Sequence, residues 1–229
     1  MSTIALLPMK ANSERVSGKN FKSLAGKPLF RWVLDSLIQI PSISQIVINT
    51  DAREILAEHG LVESNHITIR DRKPHLCGDN VSMNLIIEDD LAATNADNYI
   101  MTHTTNPLLS PDTINRALER YLSLKSLHTA DSLFGVTKFQ TRFYRKDGSP
   151  INHDPNNLIR TQDLEPWYEE NSCIYIFDKT SFSETRARIG AKPALFEIPK
   201  LEAIDIDEKD DWFLANVVAQ GRNEEKNYA

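Results

Sequence analysis

The chain has 229 residues with 41% hydrophobic and 25% charged side chains, values typical of one globular domain with room for a small appendage. Its net charge of −6 argues against a nucleic-acid coat, so we expect no nucleic-acid partner. The apolar runs are far shorter than the roughly 18 residues of a membrane span and no signal peptide is recognisable. We therefore predict a cytoplasmic protein without a membrane partner.

A cationic loop follows the first predicted strand. This strand, Ile4–Leu7, stops at a proline, and the loop after it carries Lys10, Arg15 and Lys19 against one acid, Glu14. It is neither a P-loop nor a Rossmann fingerprint. A buried strand followed by a cationic, backbone-rich loop is nevertheless a common way of holding polyphosphate in α/β proteins. An ordinary solvated loop is the alternative.

Periodicity and turn signals predict three more strand–helix units. Four such units with short loops indicate a doubly wound, mostly parallel α/β sheet with right-handed crossovers. Asp51, with Glu54 three residues later, resembles a capping box; a ribose or base contact is the alternative. In chain order we predict helix Leu29–Ile40, strand Gln45–Asn49, helix Asp51–Gly60, strand His66–Ile69, helix Met83–Thr94, strand Asn98–Met101 and a helix from Ser110 to Leu124.

The loops after the third and fourth strands are also polar. The third strand runs into a loop that carries Arg70 and Arg72, for which solvation or pairing with Asp71 is the alternative. Ser82 ends this loop as a predicted N-cap. The fourth strand is followed by T-H-T-T-N-P-L, which places hydroxyl and amide groups at a strand end. We expect the loops after strands one, three and four to converge on one rim of the sheet.

Residues 137–171 differ in character from the rest of the chain. They lie between predicted strands Ser132–Thr137 and Ile174–Phe177, and Asp147-Gly148 marks a hairpin turn. The segment carries too many aromatic side chains for a plain surface excursion: Phe139, Phe143, Tyr144, Trp167 and Tyr168. We interpret 1–136 and 172–229 as a nucleotide-binding catalytic domain and 137–171 as an inserted arm. A flap packed on its own subunit is the alternative.

Two aspartates follow the last predicted strand, Ala194–Ile198. In Ala203-Ile-Asp-Ile-Asp, Asp205 and Asp207 are two residues apart, which on a strand end places both carboxylates on one face. Two oxygen ligands with open positions suit Mg²⁺, which keeps waters and shares phosphate oxygens. The alternative is that Asp207 caps the predicted helix Glu208–Gln220, beyond which we expect the charged tail to fray.

The first loop carries a resemblance to a known family. The stretch P-M-K-A-N-S-E-R-V-S-G-K-N-F-K-S-L-A-G-K-P-L resembles the N-terminal motif of the acylneuraminate cytidylyltransferases, the CMP-sialic acid synthetases. A looser similarity extends over residues 4–218, through the spacing of Arg72, Leu76, Asp79 and Ser82, the T-H-T-T-N-P-L segment and the I-D-I-D segment. The resemblance implies a nucleotide-diphospho-sugar transferase-like fold.

The same resemblance implies the activity and the assembly. CTP would react with an acidic nine- or eight-carbon 2-keto-3-deoxy sugar to give the CMP-sugar and pyrophosphate, with Mg²⁺ as the cofactor. The arm, 137–171, would be a dimerisation arm of a homodimer that reaches towards the neighbour's sugar site.

The resemblance also implies roles for individual residues. Catalysis would involve Lys19, Asp205 and Asp207, with both aspartates as metal ligands. Nucleotide binding would fall to Lys10, Asn12, Arg15, Asn20, Arg72 and Ser82. Sugar binding would fall to His103, Thr105 and Asn106 and, from the arm, to Lys138 and Arg142.

Two positions depart from the family pattern. Lys10 stands where the family usually has Arg, which keeps the charge but loses the bidentate fork. Before the strand at 172–177 the family often shows R-P-N-G, with the Arg near the sugar, whereas this chain has Glu169-Glu-Asn-Ser172. A carboxylate beside an acidic sugar is unfavourable unless the sugar differs or sits differently. The alternatives are a nucleotidyltransferase for another sugar, a metal-dependent glycosyltransferase that uses a nucleotide-sugar, and a non-catalytic nucleotide-binding regulator.

Overall fold

Seven strands form the central sheet in the computed structural model, which describes residues 1–12 and 18–228. They are β1 Thr3–Leu6, β2 Ile43–Thr50, β3 Ile67–Asp71, β4 Asn98–Thr102, β5 Ser132–Phe139, β6 Trp167–Phe177 and β7 Pro193–Glu197. The α-helices of the described chain are α1 Leu29–Ile38, α2 Arg53–Glu58, α3 Met83–Ala93, α4 Pro111–Ser126, α5 Lys179–Thr185 and α6 Lys209–Tyr228. In these described residues, no helix has both the length and the apolar character needed to cross a bilayer.

The strand order is β3-β2-β1-β4-β6-β5-β7. Strands β1 to β4 pair in parallel, as do β5 and β7, while β6 runs antiparallel to both of its neighbours. The order changes direction between β1 and β4, and at such a switch point the following loops separate and leave a crevice at the carboxyl ends of the strands. The prediction of a doubly wound, mostly parallel α/β sheet is confirmed.

Helices cover both faces of the sheet because side chains alternate along each strand. Ala5 of β1 faces the cluster that contains Leu34 of α1 and Leu118 of α4. Its neighbour Leu6 faces the opposite cluster, with Ile87 of α3 and Phe182 of α5. Each fully buried aliphatic side chain contributes about 1.5–3 kcal/mol relative to its exposed state. These two cores hold the strand ends rigidly at the switch point.

The sequence indicated helix caps at Asp51, Ser82 and Ser110, of which two form and one does not. Ser110 and Ser82 accept hydrogen bonds from the N–H groups of Thr113 and Asn84, as N-caps do. The capping box at Asp51 does not form, because α2 begins after Ala52 without a side-chain cap. The Asp51 carboxylate instead accepts the Ala11 N–H at 2.7 Å and so anchors the loop after β1.

The chain before α6 also differs from expectation. Residues 203–207 have no regular structure, so the predicted strand end at Asp205 and Asp207 is wrong. This segment is held by the Ile206 N–H, which donates to the Thr105 carbonyl at 2.8 Å. Asp211 accepts the N–H groups of Asp207 and Glu208 at 3.0 and 2.8 Å. Helix α6 then continues to Tyr228, beyond the predicted end at Gln220.

The base of the arm continues the sheet. Trp167 and Tyr168 belong to β6 and pair with Phe139 and Lys138 of β5, so both strands are longer than the predicted Ser132–Thr137 and Ile174–Phe177. Phe143 is only half exposed, since its ring stacks on Trp167 with centroids 5.3 Å apart.

The tip of the arm contains the predicted turn. Gly148 has a φ of 83°, and its N–H donates to the Arg145 carbonyl at 2.9 Å. Asp147 accepts the Ser149 N–H at 2.9 Å. The turn at Asp147-Gly148 is therefore confirmed.

Candidate active site

A cleft of about 330 Å³ opens at the switch point between β1 and β4. Its walls come from the loops after β1, β3 and β4 and from the segment before α6. The structure thus brings together the three polar loops that the sequence predicted to share one rim. The predicted site residues that line the cleft are Lys10, Lys19, Asn20, Arg72, His103, Thr105 and Asp207.

Lys19 connects the first loop to the segment before α6. Gly18, with a φ of 60°, turns the chain into the short 3₁₀ helix Lys19–Phe21. The Lys19 ammonium donates to the Ile206 carbonyl at 2.6 Å and lies 3.4 Å from the Asp207 carboxylate. Because the Lys19 side chain is only 8% exposed, this ammonium depends on these partners to offset its lost hydration.

Asn20 connects the first loop to the loop after β4. Its amide nitrogen donates to the Lys10 carbonyl at 2.8 Å, and its amide oxygen accepts from the Thr104 hydroxyl at 2.6 Å. Thr104 was not among the predicted site residues, although it belongs to the same T-H-T-T segment. A buried amide with both ends bonded fixes the relative positions of the two loops.

Arg72 lines the cleft and is partly buried, and its hydrogen bonds connect the ends of two strands. Its guanidinium donates to the Asn49 side chain at 3.0 Å, to the Asn49 carbonyl at 2.7 Å and to the Met9 carbonyl at 3.0 Å. Burial lowers the pKa of Arg72, yet an arginine remains charged at neutral pH. Arg72 therefore contributes fixed positive potential at the carboxyl ends of β1 and β2.

A buried acid, Asp90, holds the Asn49 side chain that Arg72 contacts. Asp90 of α3 is fully buried and accepts from the Asn49 amide at 2.8 Å and from the Arg70 guanidinium. Arg70 also pairs with Asp89 at 2.8 Å, so its partners lie on α3 and not at Asp71, the alternative that the sequence left open. Burial raises the pKa of Asp90 to about 6.

This burial predicts a pH dependence of stability. The pKa of Asp90 is raised from 3.8 to about 6 in the folded state, so the folded chain binds the proton more tightly than the unfolded chain. Stability contributed by the neutral acid is then lost as the pH rises through about 6. Between pH 4 and pH 7 we therefore expect the free energy of unfolding of the wild type to fall by about 2 kcal/mol relative to that of Asp90→Asn, whose side chain does not titrate. Urea denaturation of both proteins measures it, and a difference that is constant with pH would contradict the prediction.

Asp205 and Asp207 fit a divalent cation. Asp205 is largely buried and its Oδ1 has no hydrogen-bond partner among the described residues, while burial raises the pKa of its carboxyl. Asp207 is 51% exposed and lines the cleft. A cation would satisfy the orphaned oxygen. No group of three or more acidic, histidine or cysteine side chains gathers in the described ranges, so water or phosphate oxygens would complete the ligand shell of such a cation.

His103 contacts an arginine that the sequence did not single out. Its Nε2 lies 3.2 Å from Nη1 of Arg188, which follows α5. Burial lowers the pKa of His103 to about 3, so the ring is neutral. Because a guanidinium only donates, Nε2 accepts and the proton resides on Nδ1. His103 is therefore a neutral acceptor at the edge of the cleft.

Lys10 reaches across the mouth of the cleft. It forms an ion pair with Asp79, which comes from the loop after β3, and both side chains are more than one-third exposed. Such a pair adds little stability, so the Lys10 ammonium can exchange this partner for a phosphate at small cost.

Two of the predicted nucleotide-binding residues that the structure describes, Asn12 and Ser82, are not part of the cleft wall. Asn12 is exposed on the first loop. Ser82 caps α3 and lines an adjoining hollow. Arg15 lies outside the described residues.

Three predicted sugar-binding residues also lie elsewhere. Asn106 is fully buried, with both amide atoms unpaired among the described residues. Lys138 lines a separate surface hollow near β7, and Arg142 donates to the Ile159 carbonyl at 2.6 Å within the arm. Within one subunit, none of the three lines the cleft.

Comparisons with known proteins identify the family of the chain. A family model described as cytidylyltransferase matches residues 4–209. The N-acylneuraminate cytidylyltransferase of Oncorhynchus mykiss is 29% identical over 220 residues, which are 92% of this chain and 49% of the relative. The pseudaminic acid cytidylyltransferase of Campylobacter jejuni is 22% identical over an alignment of 235 positions that covers 98% of this chain and 99% of the relative. The chain thus spans about half the length of the N-acylneuraminate relatives.

Solved structures share the fold. A CMP:2-keto-3-deoxy-manno-octonic acid synthetase complexed with CTP gives a TM-score of 0.67 at 12% identity, with 97% of this chain and 100% of that chain covered. At this identity the likeness establishes the architecture, and it confirms the predicted nucleotidyltransferase-like fold.

Proposed function

The chain belongs to the cytidylyltransferase family, and from that premise we propose that it activates a 2-keto-3-deoxy sugar acid with CTP. The products would be the CMP-sugar and pyrophosphate. One observation carries the proposal: Lys19 and Asp207 meet 3.4 Å apart in the cleft, which Lys10 and Arg72 also line. Cations beside a carboxylate suit transfer of a nucleotidyl group from a triphosphate.

For this reaction the chain must align the sugar hydroxyl with the α-phosphorus of CTP and stabilise the negative charge of the phosphates. The anomeric hydroxyl of the sugar attacks the α-phosphorus of CTP, a new P–O bond forms and the bond to the β-phosphate breaks. Lys10 and Lys19 would neutralise the triphosphate and then the leaving pyrophosphate. The hydroxyl proton would pass to a carboxylate of the Asp205–Asp207 pair or to solvent. Histidine and cysteine nucleophiles are not required.

Mg²⁺ would be held by Asp205 and Asp207. It would supply charge neutralisation at the phosphate oxygens. The support for this assignment is the Asp205 Oδ1 atom, which has no hydrogen-bond partner among the described residues, two positions before the half-exposed carboxylate of Asp207 that lines the cleft.

The proposal that the sugar is an acid is supported by the substrates for which the relatives are named. The O. mykiss relative is named for N-acylneuraminate and the C. jejuni relative for pseudaminic acid, and both are cytidylyltransferases. We extend this to an eight- or nine-carbon sugar acid for the present chain, which would act in the cytoplasm.

Pyrophosphate release tests the proposal. The protein is incubated with Mg²⁺, each of the four ribonucleoside triphosphates and a panel of 2-keto-3-deoxy sugar acids, with neutral sugars and sugar phosphates as controls. We expect release with CTP and a sugar acid. Release with a sugar phosphate and no sugar acid would favour a nucleotidyltransferase for another sugar, and hydrolysis of a nucleotide-sugar would favour a glycosyltransferase.

We further propose a homodimer that forms through the arm, 137–171. Its support is the exposed apolar surface of the arm, where Tyr144 is 53% and Leu158 67% exposed. Lys138 and Arg142 would then act on the neighbouring subunit's sugar site.

A charge on this surface should disrupt the dimer. We expect Leu158→Asp to shift sedimentation towards the monomer, because a carboxylate would be desolvated in the contact. Leu127→Asp is the matched control, since Leu127 is 66% exposed but follows α4, away from the arm. A wild type that is a fully active monomer at assay concentration would contradict the arrangement.

A further inference from the structure

A second hollow adjoins the cleft. Ser82, Asn84, Glu170 and Arg188 line it, and Met83 lines both spaces. Arg188 comes from the loop after α5, a region to which neither the motifs nor the proposed reaction assigns a role. Its guanidinium contacts His103, which lines the cleft itself. A strong cation therefore stands where the two spaces meet.

Arg188 is held in place from several sides. The guanidinium carbon lies 3.8 Å from the centre of the Tyr175 ring, a cation–π contact. The backbone N–H of Arg188 donates to the Asn84 side chain at 3.3 Å. The side chain is only 20% exposed. A stacked, partly desolvated guanidinium loses little further entropy when it binds a planar anion.

The partners of Arg188 leave donors for a ligand. Nη1 donates to His103 at 3.2 Å, and Nη2 meets a single oxygen of Glu170 at 3.3 Å. That same oxygen, Oε1, also accepts the Tyr175 hydroxyl. A guanidinium has five N–H donors, and the contacts described here occupy two of them without the bidentate geometry that carboxylates prefer.

The contact with Glu170 also bears on the departure from the family pattern. The family's R-P-N-G cation near the sugar is replaced here by Glu169-Glu170-Asn171-Ser172. In the structure, Glu170 pairs with Arg188 and so places a cation from a different element beside the cleft. A long, single contact to a half-exposed carboxylate is one that a substrate carboxylate can replace.

We propose that Arg188, with neutral His103 beside it, forms a carboxylate-binding subsite for the acidic sugar. This inference rests on the proposed function and names the group that selects the acid. The guanidinium binds the carboxylate of the sugar, and His103 orients the guanidinium by accepting from Nη1. The first turn of α3, whose N-terminal N–H groups lie at Ser82 and Met83, adds positive potential to the same hollow.

The test compares three variants in steady-state kinetics. Arg188→Gln should raise the KM for the sugar acid roughly 30-fold, about 2 kcal/mol of binding, and leave the KM for CTP within about twofold. Arg188→Lys should fall between, because it keeps the charge without the fork. Arg186→Gln is the matched control: Arg186 is two residues away, 71% exposed and paired with Glu88.

A second experiment removes the negative charge from the sugar acid. The C1 amide of the sugar acid should be a poor substrate for the wild type. It should be no worse a substrate for Arg188→Gln, because the amide has no carboxylate for Arg188 to bind. A purely structural role would instead weaken the acid and the amide equally. If Arg188→Gln fails to fold, the same comparison is made with Arg188→Lys.

The outcomes separate the two proposals. If the wild type releases no pyrophosphate from CTP with any sugar acid, the proposed function is overturned and this inference with it. If the wild type is active and Arg188→Gln keeps both the KM for the acid and the preference over the amide, the subsite is overturned while the proposed function stands.

Discussion

Asp207→Asn should lower kcat by about three orders of magnitude or more while the protein stays folded. Asp207 lines the cleft with a 51% exposed carboxylate, so its removal leaves the buried cores untouched. The loss would combine a metal ligand with a proton acceptor, effects that are each worth several kcal/mol in a transition state. The Lys19 ammonium, 3.4 Å from this carboxylate, keeps the Ile206 carbonyl as a hydrogen-bond partner at 2.6 Å after the substitution.

Asp210→Asn provides the control for this substitution. Asp210 is an exposed acid in the first turn of α6, three residues from Asp207, and it does not line the cleft. We expect its kcat to match the wild type. Full activity of both Asp205→Asn and Asp207→Asn in metal-chelated buffer would contradict the metal assignment.

Lys19→Ala should lower kcat roughly 100-fold or more, with a smaller effect on CTP binding. Charge builds on the leaving pyrophosphate, so a buried ammonium beside it stabilises the transition state more than the ground state. Lys19 also donates to the Ile206 carbonyl, so its loss loosens the segment that carries Asp207. Both effects act on kcat in the same direction.

Equilibrium binding of a non-hydrolysable CTP analogue separates binding from turnover. We expect the Kd of Lys19→Ala to change about tenfold or less while kcat falls further. Lys22→Ala, which removes an exposed cation three residues away on the same loop, should match the wild type in both. An unchanged kcat with only a raised KM for CTP would mean that Lys19 binds substrate and transition state equally.

The sequence was informative wherever local pattern decides structure. Alternating and 3.6-residue periodicities located the strands and helices, because burial follows them directly. The parallel order of the first four strands then placed their polar loops on one rim. Lys19, Arg72 and Asp207 therefore came together as predicted, although they are far apart in the chain.

Local sequence pattern gave wrong predictions where a contact between residues far apart in the chain determines the structure. Asp51 and Glu54 have capping-box spacing, but the Asp51 carboxylate binds Ala11, 40 residues away. The alternation in Ala203–Asp207 resembles a strand, yet within the described residues no strand pairs with it and the Thr105 carbonyl holds it instead. Capping-box spacing and strand alternation consider only residues close in sequence, so neither can predict a partner that is distant in the chain.

Three contributors to the site were missed, because each is placed there by a distant contact. Asn49 and Asp90 form the buried support of Arg72, and a polar side chain at the end of an apolar strand was the available signal. Arg188 had no signal of this kind, since it follows a short helix in an ordinary charged stretch. Only the packing of that loop against β6 places its guanidinium beside His103.

Phosphorus NMR of the complete reaction tests the central claim most directly. The wild type is mixed with CTP, Mg²⁺ and the sugar acid that gives the fastest pyrophosphate release. The account predicts that the three CTP resonances give way to one phosphodiester resonance, from CMP joined to the sugar, and one of pyrophosphate. A pair of coupled resonances from a CDP-linked sugar, or CTP left unchanged with every sugar acid, would contradict it.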